Sequence, residues 1–384
     1  MSLTGYKRSN GEWGFRNHVL IAPLHQMLSQ SARAIEEAVP GVVAISHDWS
    51  GMREKDFDRI AKTLSGILVN PNVFHTVILA IGTDIESEIL SLAQAHAKTP
   101  FTIVTLKDAG SLQALTELGS TAAASALTDA KALKREAAPW SAVVLGLECG
   151  GSDAYSGITA NPALGVASDK FVADGATSIL GETMEILGAE HLLALRAITP
   201  EVGQQIIDVV ARYEKSINYE GIDIRGAQPS RGNIEGGLST LEEKSLGAAK
   251  KAGNAQFTGV LDYADRPPVA GLYFMDTPGH DIEQLSGFAA AGVNVAVFTT
   301  GRGTPTGSAV IPTIKVATNT EMADALPDLI DLNAGTIADG TQTLEEVGAL
   351  IYDLILRVAN GEQTRAEIGG HHEFNLSRLY GSTL

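Results

Sequence analysis

The sequence predicts an α/β protein in which a doubly wound parallel sheet is followed by a larger α/β region rich in loops. Two observations carry this prediction. Short apolar, β-branched runs alternate with helical patterns through the first third of the 384-residue chain, as in parallel sheets covered by helices. A second series of strand and helix patterns begins at Ser141, and glycine-rich stretches interrupt it more often.

The first region contains four apolar runs that predict buried strands, at residues 18–24, 42–46, 75–81 and 101–106. Helical patterns follow them, from Ser29, at residues 55–68, at residues 84–98, and again after the fourth run. Because a helix follows each strand, the order indicates a doubly wound parallel sheet with helices on both faces.

The segment at residues 128–139 is charged, rich in alanine and ends in proline. This composition is typical of a boundary between domains. We therefore predict a Rossmann-like α/β domain at residues 1–135 and a larger α/β domain at residues 136–384.

The second region is predicted from the same two periodicities. Strands are expected at residues 141–147, 272–275 and 293–299, and helices at residues 163–174, 183–196, 200–217, 241–252 and 344–360. Asn161 and Pro162 have the residue types favoured at the N-cap and first position of a helix.

Composition excludes several classes of protein. With 45 acidic and 28 basic residues the chain carries a net charge of −17, which argues against binding of nucleic acid, because phosphate neutralisation needs clustered Lys and Arg. No run of about 18 apolar residues predicts a membrane span, and no secretory signal is evident. We therefore expect a cytoplasmic protein. A single cysteine excludes an internal disulfide and a four-cysteine zinc site within one chain.

The stretch GLECGGSDAYSGITAN at residues 146–161 is the strongest candidate for a binding site. Small and polar residues follow an apolar strand there, and ligands of open α/β sheets bind at the carboxyl ends of strands. Glu148 and Cys149 are candidate metal ligands, Asp153 a candidate catalytic group and Ser152 a candidate substrate contact. The alternative is that Cys149 is a small buried apolar residue beside a glycine turn.

Other acids, bases and a histidine are candidates for proton transfer. Glu182 follows the apolar run ATSIL, His47 follows the second strand, and Lys244 stands near a helix start, against the preference of the helix dipole. The alternatives are that Glu182 and Glu185 are only electrostatic caps of a helix, and that the side chain of His47 points away from the site.

Further polar residues at strand ends are candidate substrate or metal contacts. Thr299, Thr300 and Arg302 lie in FTTGRGTPTG, where glycines expose backbone N–H groups to an anion and Arg can hold a carboxylate. Lys315 is a second candidate carboxylate contact or a general acid, with a solvated strand lysine as the alternative. Asp276 follows another strand and is a candidate metal ligand.

Several motifs taken together resemble the family of the altronate and galactarate dehydratases, which also contains the large subunit of sulfolactate sulfo-lyase. The resemblance covers nearly the whole chain. It rests on WGFRN at 13–17, LSGILVNPNV at 64–73, LECGGSDAYSGITANPALG at 147–165, GETMEILGAEHLL at 181–193, GGLSTLEEKSLG at 236–247, FMDTPGHD at 274–281, FTTGRGTPTG at 298–307 and PTIKVATN at 312–319.

Members of that family eliminate water, or sulfite in the sulfo-lyase, from hydroxy-carboxylic acids with help from a divalent metal. The resemblance implies a hydro-lyase that converts a sugar acid, such as altronate or galactarate, to a 2-keto-3-deoxy acid, with residues 136–384 as the catalytic domain. Sulfite elimination and a noncatalytic acid-binding role are the alternatives. Fe(II) is the expected cofactor, with Mn(II) or Mg(II) as alternatives. Within WGFRN, Arg16 and Asn17 are further candidate substrate contacts.

The sequence departs from the family at three positions that often hold cysteine, where this chain has His25, Met52 and Thr83. A thiolate-rich iron site therefore cannot be carried over. Either oxygen and nitrogen donors hold the metal with Cys149 as the one sulfur, or this chain uses another metal or substrate. The resemblance also implies a separate small β-rich subunit and a homo-oligomer.

Overall fold

The computed structural model describes residues 2–53, 55–96, 100–217 and 228–378, and the predicted α/β class with parallel sheets is confirmed. The chain starts with an antiparallel hairpin of β1 (Thr4–Lys7) and β2 (Trp13–Gly14). Four parallel strands follow, β3 (His18–Pro23), β4 (Val43–Ala44), β5 (Val73–Ala80) and β6 (Phe101–Thr105), in the spatial order β4-β3-β5-β6.

Helices cover both faces of this first sheet because its strands are apolar on both sides. One face packs against α1 (Ser29–Ala38) and α5 (Leu112–Ala132), and the other against α2 (Phe57–Leu68) and α3 (Asp84–His96). A short α4 (Leu106–Ala109) precedes α5. The predicted helix at 84–98 ends at His96 in the described chain, and residues 97–99 lie outside it.

The segment between the two sheets is held in place by a strand pairing and by hydrogen bonds from the Arg135 side chain. After α5 the chain forms β7 (Glu136–Ala137), which pairs antiparallel with β1. Arg135 donates hydrogen bonds to the carbonyls of Phe15 and Thr4, at 3.1 and 2.6 Å, and to the Ala359 carbonyl. The charged segment at residues 128–139 therefore contains the end of helix α5 and the whole of strand β7.

The larger sheet has seven parallel strands among the described residues, in the spatial order β10-β11-β9-β8-β12-β13-β14. Their bounds are β8 (Val144–Gly150), β9 (Thr177–Leu180), β10 (Phe257–Leu261), β11 (Leu272–Met275), β12 (Val295–Thr300), β13 (Thr313–Ala317) and β14 (Leu332–Asn333). From β8 the chain forms β9, β10 and β11, which all lie on one side of β8 in the sheet. It then crosses to the other side of β8 to form β12. This reversal places the topological switch point between β8 and β12.

The helices of the second region are distributed over the two faces and edges of the larger sheet. They are α6 (Ala160–Ala173), α7 (Glu190–Ala194), α8 (Pro200–Ile217), α9 (Arg231–Glu235), α10 (Leu241–Ala249), α11 (Asp281–Ala290), α12 (Thr320–Ala325), α13 (Leu344–Ala359) and α14 (Arg365–Ile368). Buried residues of α6, α8 and α13 form one hydrophobic core with the sheet. None of the helices in the described ranges is long and apolar enough to cross a membrane.

The two sheets share one layer of helices. Side chains of α2 and α3 from the first region and of α11 from the second lie in the same buried cluster. Gly66 of α2 lies so close to α11 that a Cβ there would stand 2.6 Å from the Ala290 carbonyl oxygen. The amide of Asn70 donates to the Ala289 and Val293 carbonyls, at 2.7 and 3.0 Å. Asn70, in the stretch NPN at residues 70–72, thus connects the two regions by hydrogen bonds.

Three predicted elements differ from the structure. Strand β8 continues through Gly150, paired with β12, so Glu148 and Cys149 lie on a strand and not in a loop. The predicted helix at 183–196 is a 3-10 turn and the separate α7, because Gly188 adopts a positive φ of 89° between them. Helix α6 begins before Asn161, whose side chain instead accepts a 2.6 Å hydrogen bond from Thr299.

Candidate functional site

Buried ionisable side chains collect at the carboxyl ends of β8 and β9, beside the switch point. Successive residues of a strand face opposite sides of the sheet. Cys149 faces the side covered by α6, together with Leu145 and Leu147, whereas Glu148 faces the side covered by α11. The glycine-rich motif therefore supplies polar groups to both faces of the sheet.

The side facing α6 holds a cluster of three residues, Cys149, Glu182 and Lys251, which we call the β8 cluster. Lys251 is fully buried, and its ammonium contacts the Cys149 Sγ at 2.8 Å and pairs with Glu182 Oε2. The same Glu182 oxygen accepts the Cys149 backbone N–H at 3.2 Å and the thiol at 3.5 Å. Glu182 Oε1 is buried and has no hydrogen-bond partner among the described residues.

The charges of the β8 cluster follow from burial and pairing. Burial raises the pKa of the Cys149 thiol well above its usual value, and the Glu182 carboxylate raises it further, so the sulfur keeps its proton. Burial lowers the pKa of the Lys251 ammonium, but its contacts with Cys149 and the Glu182 carboxylate raise it more, and the net shift is upward. Lys251 is therefore a fixed cation and a poor base.

Local backbone geometry places Glu182 and Lys251. Glu182 adopts a left-handed φ of 64° at the end of β9, a strained conformation for a residue with a Cβ, and its N–H donates to Thr277 Oγ1 at 2.5 Å. Lys251 lies in the 3-10 turn Lys250–Ala252 after α10. That turn approaches α6 at Gly165, where a Cβ would stand 2.3 Å from the Lys250 carbonyl oxygen.

A second acid and lysine lie next to the β8 cluster. Glu185 and Lys244 form an ion pair at 2.8 Å, with side chains only 7% and 8% exposed. Lys244 also donates to Gln228 Oε1 at 2.8 Å and to Asn233 Oδ1 at 3.0 Å. Burial raises the pKa of the Glu185 carboxyl, while Lys244 opposes that shift. The sequence predicts a proton-transfer role for Lys244, whereas for Glu185 it suggests only an electrostatic helix cap.

A cavity of about 190 Å³ opens beside this ion pair. Residues of the glycine-rich motif and of α10 form its walls, including Ser152, Asn161, Lys244 and Lys250. The Ser152 hydroxyl lies 4.0 Å from the Cys149 Sγ, so the cavity reaches the edge of the β8 cluster. Lys244 and Lys250 could contact a carboxylate there, and the acids Asp153 and Glu243 line the same cavity.

Asp153 lines the same cavity, but its carboxylate is fully engaged in the protein. Oδ1 accepts from the Ser156 hydroxyl at 2.9 Å, and Oδ2 accepts from Thr318 Oγ1 at 2.8 Å and Asn319 Nδ2 at 3.0 Å. These bonds tie the glycine-rich motif to the end of β13. The arrangement fits a structural link better than the catalytic role predicted for Asp153.

The loop after β12 is also held mainly by internal bonds. The Thr300 hydroxyl accepts the Gly303 N–H at 3.0 Å. Arg302 is half exposed, and its guanidinium donates to the Gly232 carbonyl at 2.6 Å and lies 3.4 Å from Glu235. The predicted grip of Arg302 on a substrate carboxylate would require these contacts to change.

The face of the sheet covered by α11 carries a separate group of ionisable residues. Glu148 is fully buried with no hydrogen-bond partner among the described residues. Burial, followed by the nearby Glu182 and Asp281 carboxylates, raises its pKa well above the usual value, so it is neutral. Lys315 lies over the Phe298 ring at 4.7 Å, and its ammonium donates to the Thr306 carbonyl. Burial lowers the pKa of Lys315 to about 8.

The metal ligands predicted from the sequence do not converge. Glu148 and Cys149 face opposite sides of the sheet, and the Lys251 ammonium already contacts the Cys149 sulfur. Asp276 instead pairs with Arg212 at 2.8 Å and accepts from Thr183 at 2.8 Å. Over residues 2–53, 55–96, 100–217 and 228–378, no group of three or more His, Cys, Asp and Glu side chains could hold a metal ion. These residues therefore do not fit the expected metal site.

Three other candidates lie apart from the β8 cluster. Arg16 and Asn17 precede β3; Arg16 forms a salt bridge with Glu367 at 2.6 Å, and Asn17 donates to the Ala130 carbonyl at 2.6 Å. His47 is buried, with Nε2 at 2.9 Å from the Pro23 carbonyl and Nδ1 accepting the Trp49 N–H. Burial lowers the pKa of His47. These contacts give all three residues structural roles.

Lys251 is the residue that sequence reasoning missed. The one sequence signal is a pair of adjacent lysines in AAKKAGN at the end of an alanine-rich helix, which is also typical of a solvated helix end. Its partner Cys149 is 102 positions away, so only the folded chain brings the two together.

Buried acids, lysines and a thiol gathered at the carboxyl ends of strands in a doubly wound sheet are typical of an enzyme active site. Comparison with known proteins identifies which class of enzyme this is. Residues 5–131 match the family "D-galactarate dehydratase/Altronate hydrolase, second domain", and residues 140–382 match "D-galactarate/Altronate dehydratase, C-terminal". The chain belongs to the D-galactarate/altronate dehydratase family, a family of lyases.

Three relatives illustrate the range of the family. The chain is 34% identical to (2R)-sulfolactate sulfo-lyase subunit beta of Chromohalobacter salexigens, over 99% of this chain and 98% of that protein. It is 35% identical to altronate dehydratase of Bacillus subtilis, over 95% of this chain and 75% of the relative. It is 46% identical to galactarate dehydratase (L-threo-forming) of Escherichia coli, over 60% of this chain and 44% of the relative.

Proposed function

We propose that this protein eliminates water from a sugar acid, an aldonate or aldarate such as altronate or galactarate, to give a 2-keto-3-deoxy acid. The observation that carries the proposal is the cavity beside the Glu185–Lys244 pair and the β8 cluster, in a chain of the dehydratase family. The cavity offers cationic groups for a carboxylate, and the cluster offers a buried carboxylate oxygen without a partner.

The reaction has requirements that these side chains can meet. A base must remove the proton on C2, a cation must stabilise the enediolate that forms, and the hydroxyl on C3 must leave with a proton. The resulting enol then becomes the 2-oxo acid. We assign the base to Glu182 through Oε1, which has no hydrogen-bond partner among the described residues. We assign binding of the substrate carboxylate to Lys244 at the cavity wall, where the carboxylate would replace the Gln228 or Asn233 oxygen as an acceptor.

Sulfite elimination from sulfolactate is a second candidate. It is supported by the sulfo-lyase subunit that matches this chain along almost the whole length of both. The chemistry shares the first step, because a proton leaves C2 in both reactions, but a C–S bond then breaks in place of a C–O bond. The same base and carboxylate contact would serve either leaving group.

We also propose that a separate small subunit works with this chain. Support comes from the name "subunit beta" of the sulfo-lyase relative, which the chain matches over 98% of that protein. Purification of the tagged chain from its native cells should then yield a complex with a second, smaller polypeptide. Full turnover by the isolated chain, at a mass that leaves no room for a partner, would count against the proposal.

A substrate panel tests the proposed reaction. Purified protein, alone and with any copurified subunit, is incubated with altronate, galactarate, other sugar acids and sulfolactate, with Fe(II), Mn(II) or Mg(II) or with chelator. A 2-oxo acid without sulfite supports the dehydratase, and sulfite supports the sulfo-lyase. Binding without product would leave only the noncatalytic alternative and refute both lyase assignments.

Variants then test the assigned residues. Glu182→Gln keeps the shape of the side chain but removes the base, so kcat should fall by about 10²-fold or more. Lys170→Met is the matched control, because Lys170 is a half-exposed lysine of α6 that pairs with Asp174 and packs over Tyr352. Wild-type kcat in Glu182→Gln would reject the assignment of the base.

A further inference from the structure

The β8 cluster contains a cation of its own. The Lys251 side chain is fully buried, and an unpaired ammonium in such a place would cost many kcal/mol, so it persists only with partners. Those partners are the Glu182 carboxylate and the Cys149 sulfur, the latter at 2.8 Å. Both partners are donor types that a divalent metal would also use.

Lys251 and a metal ion would compete for the same space. A metal bound to the Cys149 sulfur and Glu182 Oε2 would have to displace the ammonium, since the ammonium lies at hydrogen-bond distance from both atoms. The displaced chain has little room to move, because the turn that carries Lys251 packs closely on α6 at Gly165. The Cys149 sulfur and Glu182 Oε2 are therefore already occupied by the Lys251 ammonium.

We infer that the Lys251 ammonium is the resident cation of the β8 cluster and holds the place that a divalent metal on Cys149 and Glu182 would need. In the reaction proposed above, on which this role rests, Lys251 is a positioning residue. It and the Cys149 N–H bind Glu182 Oε2, which leaves Oε1 as the one oxygen of that carboxylate without a partner among the described residues.

The neighbouring ion pair supports this arrangement. Glu182 and Glu185 are each matched by one buried lysine, Lys251 and Lys244. The charges of the β8 cluster and of this neighbouring pair therefore each cancel, so neither needs an additional positive ion to be neutral. A divalent metal added beside Lys251 would leave an excess of buried positive charge, which is costly.

Cobalt binding tests the inference without relying on turnover. Co(II) added to the wild-type protein should give no thiolate-to-cobalt absorption, because the ammonium occupies the donors. Lys251→Ala should gain that absorption, and Lys251→Ala/Cys149→Ser should lose it again. A wild-type band that Cys149→Ser abolishes would overturn the inference, as would a folded Lys251→Ala variant that stays silent at saturating cobalt.

Kinetics test the positioning role. Lys251→Met should lower kcat by about 10²-fold with KM little changed, because Lys251 acts through Glu182 and does not contact substrate. Lys251→Arg should recover part of kcat, and Lys170→Met should behave as wild type. Wild-type kcat in Lys251→Met would overturn the role.

Two further variants keep the test decisive if Lys251→Ala or Lys251→Met fails to fold. Glu182→Gln/Lys251→Met removes both charges and should fold better than Lys251→Met, whereas equal instability of the two would show that the pair is not coupled and count against the inference. If the wild-type protein turns over none of the panel substrates, the proposed function fails, but the cobalt experiment still reports on the cation.

Discussion

The carboxylate of Glu185 lies 2.8 Å from the Nζ of Lys244, and both side chains are more than nine-tenths buried. Lys244 lies on the wall of the candidate substrate cavity, and Glu185 interacts with Glu182 and Lys251 of the β8 cluster. Since each charge lies where water is scarce, each depends on the other for compensation.

Removing one member of this pair should destabilise the fold. Lys244→Met leaves the Glu185 carboxylate buried without its counter-ion, so the free energy of unfolding should fall by about 3 kcal/mol. Glu185→Gln/Lys244→Met should recover most of this loss. Urea denaturation of the single and double variants measures both values. Equal stability of Lys244→Met and wild type would contradict the pairing.

Lys315 should make stability depend on pH in the alkaline range. Its pKa falls from 10.5 to about 8 on burial, so between these values the unfolded chain binds more protons than the folded chain. The unfolding free energy should therefore rise with pH from about 8 to 10, by at most about 1.4 kcal/mol per pH unit. Below pH 8 both states are protonated and the slope vanishes.

The matched variant for this effect is Lys315→Met, which removes the titrating group. The difference in unfolding free energy between wild type and variant should grow in favour of the wild type as pH rises through the window. Urea denaturation at pH 7.5, 8.5 and 9.5 measures it. A difference independent of pH would show that Lys315 titrates normally.

Gly165→Ala should disturb the turn that carries Lys251. Its new Cβ would stand 2.3 Å from the Lys250 carbonyl oxygen, a backbone atom that cannot rotate away. We expect a loss of about 1–3 kcal/mol in stability together with reduced kcat. Gly119→Ala is the control: it lies in α5, and its Cβ would meet the movable Ile35 Cδ1 at 2.5 Å. Equal effects of the two substitutions would argue against the close approach.

Asn70→Ala should weaken the contact between the two regions and lower the free energy of unfolding. The substitution removes the hydrogen bonds to the Ala289 and Val293 carbonyls, although the Ala289 carbonyl still accepts the Gly292 N–H at 3.2 Å. The unfolding free energy should fall by about 1–3 kcal/mol. Calorimetry would measure the loss. Asn10→Ala, in the exposed turn between β1 and β2, is a control that removes two exposed hydrogen bonds with Glu12.

The sequence was sufficient for the four strands of the first sheet because buried parallel strands are continuous apolar runs that helices separate. It did not predict β10 and β14 of the larger sheet or the small sheet of β1, β2 and β7. The run at 272–275 is strand β11 and the pattern at 200–217 is helix α8, with the predicted bounds. Errors arose where glycine controls the backbone. Gly188 with a positive φ divides a predicted helix in two, and Gly150 continues a strand where a loop was expected.

The site was harder to predict because its members are far apart in sequence. The motif located Cys149 and the strand end located Glu182, but the contact with Lys251 spans 102 residues for the thiol and 69 for the carboxylate. Neither polarity nor position distinguishes Asp153, whose carboxylate is saturated by internal bonds, from Glu182, whose Oε1 is free. Only the folded geometry separates the two.

The helical layer that α2, α3 and α11 share between the two sheets has a consequence for how the chain can be divided. A protease cut in the segment that joins α5 to β7 would break one covalent connection and leave that buried layer intact. The two fragments should then elute together as a nicked complex. Either fragment produced alone would expose large apolar side chains such as Phe57 or Phe288 and would be prone to aggregation.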